Sequence, residues 1–194
     1  MKTALIGCEC SGVVRDAFRA IGIDAWSCDL KPCEKGSEFH IEGDVVEAIG
    51  SREWDFIGLH PDCTKLAVSG NRWYGFGTPG YNARCGSIIW TRSLWKLATS
   101  QCDHVYLENP VGVLSNVEEM PKPFYIQPWQ FGHGETKKTG LWLHGLPKLI
   151  PTNVVQGREQ RVWRMGPGEN RKTERSRTYQ GIADAMAEQW GTQL

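Results

Sequence analysis

The sequence carries no net charge: 22 lysines and arginines stand against 22 aspartates and glutamates in 194 residues. It therefore lacks the basic surplus that drives tight, salt-dependent binding to nucleic acid by counterion release. It also lacks any apolar run near the ~18 residues that read as a membrane span. The opening Met1-Lys2-Thr3-Ala4-Leu5-Ile6-Gly7 is too short for a signal peptide and reads as a strand, which places the expected location in the cytoplasm. No Cys-x-x-Cys pair occurs among the seven cysteines. Their odd number and irregular spacing argue against a disulfide scaffold. Cys8, Cys10, Cys28 and Cys33 match no common zinc pattern, so buried reduced thiols and no metal are expected. There is no internal repeat and no low-complexity tract. At 40% hydrophobic and 23% charged residues, the composition is that of a globular chain long enough for one well-filled core.

What is present is ordered by sign and by period. Residues 1–60 hold 6 basic against 11 acidic residues, and residues 61–194 hold 16 against 11, a division suited to meeting a polyanion on one side. Residues 3–7 form an apolar strand. The turn Gly7-Cys8-Glu9-Cys10-Ser11-Gly12 leads into a helical pattern at Val13, Val14, Ala17, Phe18 and Ile21, closed by Gly22. Ala25-Trp26-Ser27-Cys28 is a second strand with Asp29 at its tip, and Gly43-Asp44-Val45-Val46 starts a short helix. Phe56-Ile57-Gly58-Leu59 is the next strand. Residues 64–85, rich in Gly, Asn, Arg and aromatics without a period of their own, read as a lid. A helix over 88–98 precedes the strand Val105-Tyr106-Leu107, and residues 111–117 suggest a short helix. Phe124-Tyr125-Ile126 and Leu141-Trp142-Leu143 are late strands. Residues 151–179 carry seven basic residues against three acidic ones. A last helix over 181–190 puts Ile182, Ala185, Met186 and Trp190 on one face. Strands alternating with helices predict an α/β fold with a doubly wound, mostly parallel sheet.

The chemistry gathers at two strand ends. His60-Pro61-Asp62-Cys63-Thr64 presents a thiol at the carboxyl edge of the sheet, where open α/β folds collect ligands. Such a thiol is a nucleophile when an acid or base stands by, and Glu108, at the tip of the strand 105–107, is the candidate partner. The alternative is an inert buried thiol and a turn carboxylate. The Gly7–Gly12 turn offers backbone N–H groups to an electronegative ligand, yet it is neither a phosphate loop nor the dinucleotide fingerprint. Asp29 suits ribose hydroxyls. Asp44 suits an adenine amine, or else caps the helix that follows it.

Taken in order, the glycine turn, Asp29 at its strand tip, Pro61-Asp62-Cys63 and Glu108-Asn109 resemble the cytosine-5 DNA methyltransferases, most of all the short versions carried by phages and prophages. The resemblance covers residues 4–191. It implies a single domain, 1–194, with the Rossmann-like sheet of S-adenosylmethionine-dependent methyltransferases. A lid at about 64–85 and a small basic segment, 151–177, would replace a large target-recognition domain. In a bacterial or phage-infected cell, Cys63 would attack C6 of a cytosine flipped out of double-stranded DNA. Glu108, beside Asn109, would hold N3 and the exocyclic amine, and Lys138 would stand for an arginine of the family's Gln-x-Arg-x-Arg element. S-adenosylmethionine would lie against Gly7, Glu9, Ser11, Gly12, Asp29, Leu30, Asp44, Val45 and Pro61. DNA would meet Arg72, Trp73 and Arg84 of the lid and Arg161, Arg164, Arg171 and Lys172 of the basic segment, chiefly through phosphates and with a short or degenerate target. The chain departs from the family pattern where Asp62 replaces a proline, placing a carboxylate that disfavours the thiolate beside Cys63. Thr64 stands for a common glutamine, and Gly140 leaves the second arginine without a counterpart. RNA methylation by the same residues and a catalytically silent nucleic-acid-binding module remain as alternatives.

Overall fold

Short strands that are apolar on both faces demand cover on both, and that requirement shapes the molecule. The computed structural model describes residues 1–166, 168 and 171–194, without the side chain of Lys172. Seven strands, β1 (Thr3–Gly7), β2 (Asp24–Asp29), β3 (His40–Glu42), β4 (Phe56–Leu59), β5 (Val105–Pro110), β6 (Phe124–Ile126) and β7 (Thr139–His144), form one sheet ordered β3-β2-β1-β4-β5-β7-β6. The first five run parallel, and β7 runs antiparallel to both β5 and β6. The helices are α1 (Val13–Ala20), α2 (Val45–Gly50), α3 (Asn71–Tyr74), α4 (Tyr81–Gln101), α5 (Arg161–Arg164), α6 (Arg171–Ser176) and α7 (Gln180–Trp190).

Alternation along each strand sorts side chains between two cores. Ala4, Ile6, Phe56 and Tyr106 pack with α1 and α7, through Phe18, Met186 and Trp190. Leu5, Ile57, Leu59 and Leu107 pack with α2 and α4, through Ile49, Leu94 and Trp95. Each fully buried side chain of this kind contributes about 1.5–3 kcal/mol. Several buried polar residues break the apolar rule, and one of them ties a helix to the sheet. Arg15 of α1 is 1% exposed, donating from Nη1 to Ser27 Oγ at 2.8 Å and pairing with Asp16 at 2.7 Å, which fixes α1 to β2.

Several expectations need correction. β3 was not expected: a three-residue edge strand with one apolar side chain gives no periodic signal, and Ser27 Oγ meeting His40 Nδ1 at 2.8 Å helps hold it to β2. Helix α4 starts at Tyr81, inside the expected lid, because Arg84 occupies a core-facing position and is only 5% exposed. The segment expected to be a lid is therefore shorter, and it has structure of its own, with a 3-10 turn at Val68–Gly70 followed by α3. The short helix expected over 111–117 is a 3-10 turn, Val113–Asn116. The basic segment holds two short helices, α5 and α6.

Candidate active site

Parallel pairing of β4 with β5, Leu59 opposite Leu107, brings the two motif-bearing ends to the same sheet edge. The loops beyond them are then joined. Asn109 is 1% exposed, and its Nδ2 donates to Pro61 O at 2.9 Å. Val68 N donates to Val111 O and Val113 N to Leu66 O, each at 3.0 Å. Gly112 permits that approach, since a Cβ there would lie 2.1 Å from Leu66 O. Asn109 and Pro61 thus serve as the strut between the two loops.

Cys63 is half-buried on the first loop. Burial raises its thiol pKa, the charges of Glu108 and Asp62 raise it further, and Lys137 works against them. The Asp62 carboxylate turns to its own loop, accepting from Thr64 N at 2.9 Å and Thr64 Oγ1 at 2.6 Å. Burial also raises the carboxyl pKa of Glu108, with Lys137 again opposing. The ammonium of Lys137 is pushed down by burial and held up by Glu108 and Cys63. Cys63, Glu108 and one lysine therefore share one electrostatic environment.

That lysine corrects the expected one. Lys138 is exposed and lies 4.5 Å over the Tyr125 ring, on the opposite side. Continued back from β7, the alternation puts Lys137 in phase with Thr139 and Leu141, and Leu141 is paired with Glu108. A shift of one residue reverses the face.

Two further residues belong here. His60 Nε2 meets the Tyr106 hydroxyl at 2.6 Å, and His60 Nδ1 lies 3.7 Å from Glu108 Oε2. Burial and Lys137 push the imidazole down to about 3, so it is neutral near pH 7. Sequence reasoning gave His60 and Tyr106 no role. The signal was available: Phe56, Gly58 and His60 alternate on one face, as do Tyr106 and Glu108.

The cradle beside this pair is built around missing side chains. Gly7 has none because Val45 Cγ2 would lie 2.4 Å from its Cβ. Val45 is accordingly 5% exposed and packs in the core. Gly12 adopts φ 71° and caps α1, and Cys8 also has a positive φ, 60°. Glu9 is 7% exposed. Its Oε1 accepts from Ser11 Oγ and from Val13 N at 3.1 Å, whereas Oε2 has no hydrogen-bond partner among the described residues. Burial raises its pKa, against the pull of Ser11 and Val13. Asp29 accepts from Lys31 N at 3.0 Å, and the adjacent Leu30 is 77% exposed. Asp44 caps α2 by accepting from Val46 N at 2.8 Å, the rival reading of that residue.

The expected nucleic-acid residues are divided by the structure. Arg72 is exposed and lies 5.1 Å from the ring of Trp73, which is 63% exposed beside Phe76 at 90%. Arg84 is instead the inner clasp of the loop after Cys63, donating to Lys65 O at 2.6 Å and Asn71 Oδ1 at 2.8 Å, which leaves it no surface for DNA. Arg161 pairs with Glu135 at 2.8 Å and Glu174 at 3.3 Å. Arg164 is exposed, Arg171 is half-buried, and the Lys172 side chain lies outside the described residues. Arg177 pairs with Glu34, tying the basic segment to the cradle.

No protein-family model matches the chain, and no curated protein sequence matches it. Among solved structures it is similar to an E. coli prophage-encoded protein assigned as a DNA modification methyltransferase, at 10% identity and TM-score 0.55, over 86% of this chain and 56% of that one. It is also similar to the Entamoeba histolytica methyltransferase EhMeth, at 12% identity and TM-score 0.51, over 84% and 58% of the respective chains. A triply substituted Spodoptera frugiperda DNMT2 matches at 13% identity and TM-score 0.51, over 81% and 57%. The chain spans 56–58% of the length of these three proteins. At such identities the likeness establishes the fold alone, a doubly wound, mostly parallel α/β sheet. Among the described residues no helix is long and apolar enough to cross a membrane.

Proposed function

We propose that the chain is an S-adenosylmethionine-dependent methyltransferase acting on C5 of cytosine in DNA, with Cys63 as nucleophile. The observation that carries this reading is the tie between Asn109 Nδ2 and Pro61 O, 2.9 Å, which holds the Cys63 loop to the Glu108 strand. The two groups have complementary roles. The Cys63 thiolate adds to C6 while Glu108, whose carboxyl pKa is raised by burial, gives a proton to N3, so the ring's developing charge is neutralised as it forms. The resulting enamine carries its electron density to C5. S-adenosylmethionine, when bound, supplies an electrophilic methyl group on a sulfonium centre. Gly7, Ser11 and Gly12 would let that ligand approach the backbone, and the unpartnered Oε2 of Glu9 suits its ammonium. Asp29 would take its ribose hydroxyls, and exposed Leu30 would lie under its adenine, near Asp44 and Val45. Exposed Arg72 and Trp73 offer a phosphate contact and a stacking face beside the site.

Incubation with DNA containing 5-fluorocytosine, in the presence of S-adenosylmethionine, tests the assignment. The expected result is a covalent adduct that disappears in Cys63→Ser, and an adduct that survives that change would falsify the nucleophile. Labelled cofactor offered to DNA and to RNA separates the substrates. Label in RNA alone moves the reading to RNA methylation, and label in neither favours a silent binding module, which the raised Cys63 pKa would then explain.

A further inference from the structure

A polar chain runs inward from Glu108 through the interior of the sheet edge. Tyr106 is fully buried, with its hydroxyl 2.6 Å from His60 Nε2, and His60 Nδ1 stands 3.7 Å from Glu108 Oε2. Three features hold this chain in place. His60 N donates to Gly7 O at 2.9 Å, fixing the backbone at the end of β4. Gly58 clears a lane for Tyr106, because a Cβ there would stand 2.3 Å from Cε1 and 2.7 Å from the hydroxyl oxygen. The His60 and Tyr106 rings meet edge-on at 5.5 Å, and Trp190 covers Tyr106 at 5.2 Å. A buried hydroxyl and a buried imidazole that satisfy each other stabilise a single arrangement.

We propose that His60 is a positioning residue for Glu108, with Tyr106 fixing the imidazole tautomer that directs Nδ1–H at the carboxyl oxygen Oε2. When Tyr106 donates its O–H to Nε2, the ring proton must sit on Nδ1. Oε2 then faces an N–H donor, and the acidic proton of Glu108 is confined to the other oxygen, which faces the cytosine. As that proton passes to N3 and the Cys63 Sγ–C6 bond forms, the carboxyl becomes a carboxylate. The 3.7 Å contact then closes into a charge-assisted hydrogen bond. The charged and titratable neighbours of this chain are few. Lys137, ahead of β7, acts on both His60 and Glu108, Glu9 acts on Tyr106 from the cradle turn, and Cys63 faces Glu108 from its loop.

The inference rests on the function proposed above, and it is tested so that the two can fail separately. Nitrogen-15 spectra of the full chain with labelled histidine report the tautomer without any reaction. The expected result is a neutral imidazole protonated on Nδ1, converting to a tautomeric mixture in Tyr106→Phe, whereas protonation on Nε2 in the unsubstituted protein overturns the proposal. Carbon-13 labelling of the Glu108 carboxyl follows its titration. His60→Leu, which removes the donor, should move that titration to higher pH and lower kcat about tenfold or more with KM for S-adenosylmethionine unchanged. His60→Asn, whose amide N–H replaces Nδ1–H, should restore both towards the original values. Equal effects of Leu and Asn, or an unmoved carboxyl titration, refute the role of His60. If the unsubstituted protein methylates neither DNA nor RNA, the proposed function falls, while the spectra still decide the tautomer.

Discussion

Gly58→Ala is expected to be among the most costly single-methyl additions in this chain. The new Cβ would stand 2.3 Å from Cε1, 2.6 Å from Cζ and 2.7 Å from the hydroxyl oxygen of Tyr106. The ring cannot swing aside cheaply, because it is fully buried against Phe56 at 5.7 Å and Trp190 at 5.2 Å. Overpacking of this kind costs about 1–3 kcal/mol. Displacing the ring also breaks the 2.6 Å contact with His60 and leaves two buried polar groups unsatisfied, about 1–3 kcal/mol more. A total near 4 kcal/mol is a large share of the stability of an ordinary domain, and corresponds to roughly 8–16 °C in melting temperature. Urea unfolding followed by tryptophan fluorescence measures the loss. The decisive comparison is the double variant Gly58→Ala with Tyr106→Leu, in which Cε1, Cζ and the hydroxyl are gone. If the collision is the cause, the double variant is more stable than the sum of the two single losses predicts, by about 1 kcal/mol or more. Additivity within about 0.5 kcal/mol refutes the reasoning.

Three further outcomes are expected. Lys137→Met should slow iodoacetamide alkylation of Cys63 at pH 8, followed by peptide mass mapping, because it removes the charge that lowers the thiol pKa. Lys138→Met should leave the rate unchanged, and an equal effect of the two would refute the assignment of Lys137. Gly12→Ala should destabilise the chain by about 1–2 kcal/mol in urea, since φ 71° disfavours any Cβ and the side chain would press on the buried Arg15 guanidinium; an unchanged midpoint would refute this. For His60 the folded pKa, about 3, lies below the ordinary 6.5. Its contribution is therefore fully present above pH 6.5 and is lost as the pH falls towards 3, by at most about 1.4 kcal/mol per pH unit. The difference in urea midpoint between the unsubstituted protein and His60→Asn should narrow across that window, and a constant difference would contradict it.

Much of the fold was legible because the central strands are short, apolar and closed by marked turns. Leu5 and Ile6, Phe56 and Ile57, and Tyr106 and Leu107 announce a sheet buried on both faces. Cys63 follows β4 and Glu108 lies in the carboxyl-terminal half of β5, so order alone points both to one sheet edge. What escaped had physical reasons. β3 has one apolar residue in three, too few for a period. The first turn of α4 is hidden because its core-facing residue is Arg84, whose guanidinium bonds loop carbonyls instead of meeting solvent. The choice between Lys137 and Lys138 turned on a strand register that composition does not encode, and one residue separates the site from the Tyr125 ring. Asp44 was ambiguous for a different reason: capping and ligand binding ask for the same carboxylate.

The site also has to reconcile two opposite demands. In the proposed reaction burial favours the acid form of Glu108 that would protonate a ring nitrogen, by raising its pKa, and disfavours the Cys63 thiolate that would attack. Lys137 cannot serve both, since its charge favours the thiolate and the carboxylate alike. Asp62 adds to the hindrance at Cys63, although its carboxylate is bonded to Thr64 N and Oγ1 on the same loop. Burial and the neighbouring carboxylates thus push the thiol towards its protonated form, and burial moves the acid in the same direction. In the proposed reaction a cytosine at this sheet edge would give the Glu108 proton an acceptor, and the carboxylate left behind would have Lys137 and His60 as neighbours. On the proposed function, the chemistry would depend less on a reactive cysteine than on the Glu108 carboxyl group, and on whatever holds that group in one orientation.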